Sequence, residues 1–239
     1  METKPDPTNP HPIEVWIERQ FPGYRFGVVL LLLLLTFVFM ATGIETEWSP
    51  AVSVTLQGLT LLTALRAAQV SRRTFRVAVV VALAALAGAV ASLFISNTDA
   101  LLGASFTLNA FLVAAPPIAI GRALWRRPVV DIHTVLGAIC IYVLVGMLFA
   151  FIYSAIGYFG DEAFFVQTSH ATTSVYLYFS FITLTTVGYG DFTPATGLGR
   201  SLASIEALLG QLYLVTVVAT VVSRMVRQRP STDEQTSTT

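Results

Sequence analysis

Charge is what this sequence has least of. Only 12% of its 239 residues are charged, against about 25% in a typical soluble domain, while 54% are hydrophobic. That balance excludes an ordinary water-facing surface and makes a lipid bilayer the natural solvent. The formal net charge is zero and no basic domain stands out, which argues against nucleic acid as a partner. Cysteine is almost absent too. Cys140 stands alone inside an apolar run, so no intrachain disulfide can form and a packed thiol is expected. No His, Cys, Asp or Glu cluster has metal-ligand spacing and no nucleophile is paired with a base, so neither an enzyme nor a resident cofactor is expected.

What the chain has instead is long apolar runs. A membrane span needs about 20 mostly apolar residues. The candidates are Phe26–Ile44, Ala51–Ala68, Val77–Ile95, Leu101–Ile120, Ile132–Gly157 and Leu198–Met225. The first run lacks a small-x-small cleavage site and reads as retained. Thr172–Thr185 is apolar and aromatic but too short to cross. It precedes irregular backbone, which membranes tolerate only inside protein or beside a water-filled cavity. The expected fold class is therefore an all-α membrane protein with six transmembrane helices and one re-entrant pore helix and loop. Residues 1–25 form an N-terminal segment, 26–121 a four-helix part of unassigned role, 132–225 a pore part, and 226–239 a polar tail expected to be disordered. Within the N-terminal segment, "HPIEVWIERQFPG" reads equally as a short interfacial helix or as a polar lead-in.

Basic residues set the orientation. With a cytoplasmic N-terminus, every Lys and Arg except Arg200 falls inside, and Glu45, Glu47, Asp99, Asp161, Glu162 and Asp191 fall outside. The positive-inside rule then puts both termini in the cytoplasm of a cell-membrane protein. Trp16, Trp48 and Trp125 lie beside span ends, where amphipathic rings prefer to sit. The fourth span has no Lys or Arg between Leu101 and Gly121. A voltage sensor needs several such charges in register, because each contributes only about 2.3 kcal/mol per 100 mV. Strong voltage sensing is not expected. Pro116 and Pro117 are expected to kink that span.

Between the short segment and the last span lies "LTTVGYGDFTP", residues 184–194. An ion leaving water needs replacement oxygens, and rings of backbone carbonyls can supply them. Aiming successive carbonyls to one side needs alternating backbone hand, which Gly188 and Gly190 adopt at little steric cost. Thr186 adds a hydroxyl at the inner end. Tyr189 can turn away and brace against Tyr176, Tyr178, Phe179 and Phe181 of the preceding helix. Asp191 sits just beyond, and Thr193 and Pro194 close the turn. The preceding helix aims its negative end at the membrane centre, favouring a cation.

"TLTTVGYGD", Thr183–Asp191, resembles the signature of the tetrameric potassium channel family, without departure in its TVGYG core. The resemblance covers the outer, pore and inner helices, about Ile132 to Met225, and not the first four spans. It implies potassium sites formed by the carbonyls of Thr186, Val187, Gly188 and Tyr189 with the Thr186 hydroxyl, and a filter ending at Gly190. It implies a gating hinge at Gly210 and an inner helix lining a water-filled cavity. One departure is visible: some bacterial members carry a pore-helix glutamate where this sequence has Ile182. One loop cannot encircle an ion, so a homotetramer in lipid is expected, with potassium as permeant ion.

Further candidates rest on the residues themselves. Thr185, Asp191, Tyr178, Phe179 and Glu206 are candidates for filter support. Glu206 is the one acid inside a span. It reads equally as a brace behind the pore helix or as an interfacial carboxylate near Arg200. Gln211, Leu214, Val218 and Val222 share a helical stripe that fits a cavity wall better than a packing seam. His133 and His170 are placed near the two interfaces and read as solvated bystanders more readily than as pH sensors.

Overall fold

Local chemistry sets the helix ends in the computed structural model, which describes residues 24–44, 46, 48–91, 99–125, 132–160 and 162–227. Seven helices follow in order: α1 (Tyr24–Ala41), α2 (Ser49–Ala67), α3 (Arg72–Ala91), α4 (Asp99–Trp125), α5 (Ile132–Phe159), α6 (Thr173–Leu184) and α7 (Gly197–Arg227). Pro50 occupies the first turn of α2, where its missing N–H would have no partner anyway. At the far end of α2, Gln69 takes φ 51° and Val70 N–H returns to the Leu65 carbonyl at 3.3 Å, a left-handed helix stop. Ser71 then accepts the Thr74 N–H at 3.2 Å and starts α3 ahead of its apolar run. Thr172 does the same for α6, accepting from Val175 N–H.

Threonines in these apolar helices satisfy their hydroxyls locally. Thr36, Thr55, Thr60 and Thr63 each donate to the carbonyl four residues earlier, at 2.7–2.8 Å, which removes an unpaired donor from an apolar setting. α3, α4 and α5 contain stretches both long and apolar enough to cross a bilayer, namely Arg72–Val90, Thr107–Trp125 and Thr134–Phe159. α1 is apolar but shorter over Phe26–Ala41. α2 and α7 carry more polar residues, among them buried Gln57 and Glu206, and turn those toward protein. The molecule is thus helical and suited to a membrane, as expected. Among the described residues the one β pairing is an isolated bridge between Phe165 and Pro194. α4 continues as helix through Pro116 and Pro117. Residues 1–23 of the N-terminal segment, Trp16 among them, and residues 228–239 of the tail lie outside the described residues.

Three apolar clusters join the helices. The largest binds α1 and α4 to α5: Phe26, Val29 and Leu33 of α1 and Val113 and Ile120 of α4 meet Cys140, Leu144 and Met147 of α5. A second, around Leu61, Ala85 and Leu112, ties α2, α3 and α4 together. A third is aromatic. Phe149 and Tyr153 of α5, Phe164 and Phe165 of the α5–α6 connection, and Tyr176 and Phe179 of α6 surround one another, with ring centroids 4.8–6.1 Å apart. Such edge-on contacts add to area burial.

Phe165 is 1% exposed and touches four aromatic rings, those of Phe164, Tyr176, Phe179 and Phe192. Phe165→Ala should therefore destabilise the chain by about 3–5 kcal/mol, read as a lowered thermal midpoint. Val166→Ala beside it, at an exposed position, should shift the midpoint little.

Candidate functional site

Helix α6 stops at Leu184 because its last carbonyls are taken by the chain that follows. Thr185 N–H bonds to Phe181 O at 3.0 Å and Thr186 N–H to Thr183 O at 2.9 Å. Val187 and Gly188 both donate to Ile182 O, at 2.9 and 3.1 Å. The chain then runs extended with left-handed backbone at every second residue: Thr186 φ 59°, Gly188 φ 51° and Gly190 φ 79°. Alternating hand points successive carbonyls to one side. Glycine accepts positive φ freely, whereas a β-branched residue there is strained. Thr186 was expected to contribute its carbonyl and its hydroxyl, and alternating hand was expected of the glycines, so its left-handed backbone is an addition to the sequence reading. The Gln211 side-chain amide donates to Thr186 Oγ1 at 2.8 Å and helps hold that conformation.

The outer end is pinned by a second set of contacts. Tyr178 OH donates to Asp191 Oδ2 at 2.7 Å, and Asp191 Oδ1 accepts the Phe192 N–H at 3.1 Å. The segment after the loop pairs with the segment before α6. Val166 N–H donates to Thr193 O at 3.0 Å and Ala195 N–H to Phe164 O at 2.8 Å. The Gln167 side chain exchanges two hydrogen bonds with Thr193, each 2.9 Å. Val187 and Tyr189 are 52% and 72% exposed. Among the described residues no ring pair joins Tyr189, expected to brace against the aromatics of α6, to those rings. Phe179 is instead buried in the aromatic cluster.

Behind α6 sits Glu206, 0% exposed. Its Oε2 accepts from Tyr153 OH at 2.6 Å, and its Oε1 lies 2.5 Å from Ser180 Oγ. Ser180 Oγ is also 2.6 Å from the Gly146 carbonyl. One carboxyl thus ties together α5, α6 and α7. The interfacial alternative is overturned, since the side chain is fully covered and Arg200 bonds to Ala195 O at 2.8 Å. Thr185 is not its partner either: that hydroxyl donates to Phe181 O at 2.6 Å. Reading along the chain missed Ser180 and Tyr153. The available signal was chemical: a buried acid needs hydroxyl or amide partners, and both residues lie on the adjoining helices.

Five positions on α7 have separate outcomes. A Cβ on Gly210 would run into the Leu184 carbonyl, so this glycine allows α7 to approach the end of α6. α7 is continuous helix through it. Gln211 and Leu214 are exposed and share a face with Thr186 at one end. The side chains of Val218 and Val222, like that of His133, lie outside the described residues. His170 is exposed in the loop before α6, where its backbone pairs with the Thr168 hydroxyl. Among the described residues no cluster of three His, Cys, Asp or Glu side chains could hold a metal.

Comparison with known proteins adds a family. Residues 138–227 match a family model described as an ion channel. The rat protein named "Voltage-gated potassium channel regulatory subunit KCNF1" is 33% identical over 92 residues, 38% of this chain and 18% of that protein. "Probable potassium channel protein 2" of Methanocaldococcus jannaschii is 52% identical over 46 residues, 18% of this chain and 13% of that protein. The chain therefore covers less than a fifth of the length of either relative. No solved structure matches it significantly.

The Glu206 bracket makes a prediction of its own. Glu206→Leu leaves the Tyr153 hydroxyl without its acceptor, at a cost of about 1–3 kcal/mol, whereas Ser180 can still donate to the Gly146 carbonyl. Glu206→Gln retains an acceptor and should lose less. In thermal unfolding, Tyr153→Phe should destabilise the native chain yet add little to Glu206→Leu, the non-additivity of a shared contact. Fully additive losses would mean the two side chains act independently.

Proposed function

Since residues 138–227 belong to the ion channel family, we propose that the chain is a subunit of a potassium-selective channel. Residues 132–225 form its conducting part and 26–121 an attached four-helix part. The observation that carries this reading is the backbone of 186–190, with left-handed φ at alternate residues. Four such strands around an axis would present rings of carbonyls from Thr186, Val187, Gly188 and Tyr189, able to replace the hydration shell of potassium. Potassium is the cargo, and the chemistry needs no cofactor. The names of the two relatives, both potassium channel proteins, support the choice of ion.

A single strand cannot surround an ion, and the exposure pattern supports partners. Leu198, Ile205, Leu208, Leu212 and Val215 on α7 are 49–67% exposed, and the filter side chains Val187 and Tyr189 are exposed too. Lipid would accept the α7 face but not the filter backbone. Four copies around a cyclic axis cover both. In that assembly Gln211 and Leu214, followed by Val218 and Val222, would line the entrance below the filter, and Gly210 would serve as the point where the inner helix bends. Glu206, with Thr185, Tyr178, Phe179 and Asp191, would hold the filter in place. The distribution of Arg residues supports a cell-membrane protein with both termini in the cytoplasm.

A second reading is favoured by one similarity. Because the rat relative is named a regulatory subunit, this chain could assemble with a different channel protein instead of conducting alone. Purified protein in planar bilayers separates the two. As a conducting homotetramer it should give a reversal potential close to that of potassium under a potassium–sodium gradient. Gly188→Ala, which places a Cβ at φ 51°, should abolish conduction or potassium selectivity. Equal permeability to sodium, or normal permeation in Gly188→Ala, would contradict the carbonyl-ring reading. Silence of the pure protein, with currents altered on co-expression, would favour the regulatory one.

Voltage is the second test. No Lys or Arg lies between Leu101 and Gly121, so open probability in symmetric potassium should change little across the physiological voltage range. A steep dependence equivalent to several charges per subunit would mean that charge outside the fourth helix senses the field.

A further inference from the structure

The four-helix part and the pore part meet around a small space that conduction does not use. This cavity of about 10 Å³ lies among α1, α2, α4 and α5, with Thr36, Gln57, Thr60, Val113, Pro116 and Met147 among its lining. Gln57 is only 4% exposed, yet neither its Nε2 nor its Oε1 has a hydrogen-bond partner. Among the described residues the one other buried side-chain atom in that condition is Asn109 Oδ1. An unpaired buried amide is costly, and an apolar side chain of similar shape would avoid the cost.

Covalent structure supplies the facing group. Pro116 and Pro117 carry no N–H, so the carbonyls of Leu112 and Val113 lose the donors that an α-helix would give them four residues on. For Val113 the donor three residues on is also a proline. Leu112, Val113 and Pro116 all border the same cavity as Gln57. Thr36 and Thr60 spend their hydroxyl hydrogens on Leu32 O and Leu56 O, which leaves their oxygens able to accept.

We propose that this cavity binds one water molecule, held between the Gln57 amide and the Val113 carbonyl. A volume of about 10 Å³ is the least that one water needs, and a buried water requires two to four polar partners. Here Nε2 offers hydrogens while Oε1 and the Val113 carbonyl accept them. A cation would meet the amide hydrogens and find no carboxylate in the lining, and an anion would meet carbonyl oxygens. Only a ligand that both donates and accepts fits. Ordered water is one of the ways a transmembrane helix re-satisfies carbonyls freed by proline. The water would tie α2 to the proline turn of α4 where that turn rests on α5, the joint between the two parts of the chain. This assignment is independent of the channel reading.

X-ray hydroxyl-radical footprinting of the full chain in lipid nanodiscs tests it, because radicals formed from bound water oxidise adjacent methionine. Met147 borders the cavity and is 1% exposed, against 6% for Met40, so exposure alone ranks Met40 as the more reactive. With water bound, Met147 should be modified at least as fast as Met40. Its rate should fall severalfold in Gln57→Leu and in Pro117→Ala, which returns an N–H to the Val113 carbonyl. Met40 should not respond. The second variant keeps the test decisive should the first fail to fold. An unreactive Met147 in the native chain, or an unchanged rate in both variants, would overturn the proposal.

Discussion

Everything in the pore part answers to one constraint: a stretch of extended backbone must be held with alternate residues left-handed, in a chain whose solvent is lipid. Neither helix nor sheet pairs its peptide groups. Residues 186–190 instead borrow support from outside themselves: the Ile182 carbonyl accepts two of their N–H groups, Gln211 holds the Thr186 hydroxyl, and Tyr178 fixes Asp191 at the exit. Strained φ values persist only when their surroundings over-determine them. Thr186 is the clearest instance, since glycine would take φ 59° without cost and threonine does not.

That support requires α6 to stay put, which explains features farther away. Glu206 bridges Tyr153 on α5 and Ser180 on α6 from its place on α7, so a single carboxyl sets the spacing of three helices. Gly210 allows the close approach of α7 to the Leu184 carbonyl, and Tyr142 donates to that same carbonyl at 3.3 Å. On the other flank, Phe37 of α1 meets Phe181 of α6 edge-on at 4.8 Å. The four-helix part is therefore in contact with α6 as well as with α5, and a change in its packing has a physical route to residues 186–190.

Much of this was legible in the sequence because it depends on local rules. The glycines at 188 and 190 announce alternating backbone hand, and apolar run lengths announce helices. Boundaries moved where capping or length overrode hydropathy: α3 begins at Arg72 because Ser71 caps it, not at the apolar Val77. What could not be read was pairing across distance. Glu206 finds Ser180 and Tyr153, 26 and 53 residues away, and no local pattern specifies which hydroxyls meet it. The left-handed Thr186 was hidden for the opposite reason, since local preference argues against it and tertiary contacts prevail. Tyr189 was expected to brace within its own chain. Within the chain it is 72% exposed instead.

The central claim is that four copies of residues 186–190 form one carbonyl-lined column for a bare cation. Anomalous scattering from the assembled protein soaked in rubidium or thallium, both close mimics of potassium, addresses it most directly. The account predicts a row of peaks on the four-fold axis, each ringed by carbonyl oxygens between Thr186 and Tyr189. Peaks confined to a wider, water-filled space, or a filter whose carbonyls turn away from the axis, would contradict it.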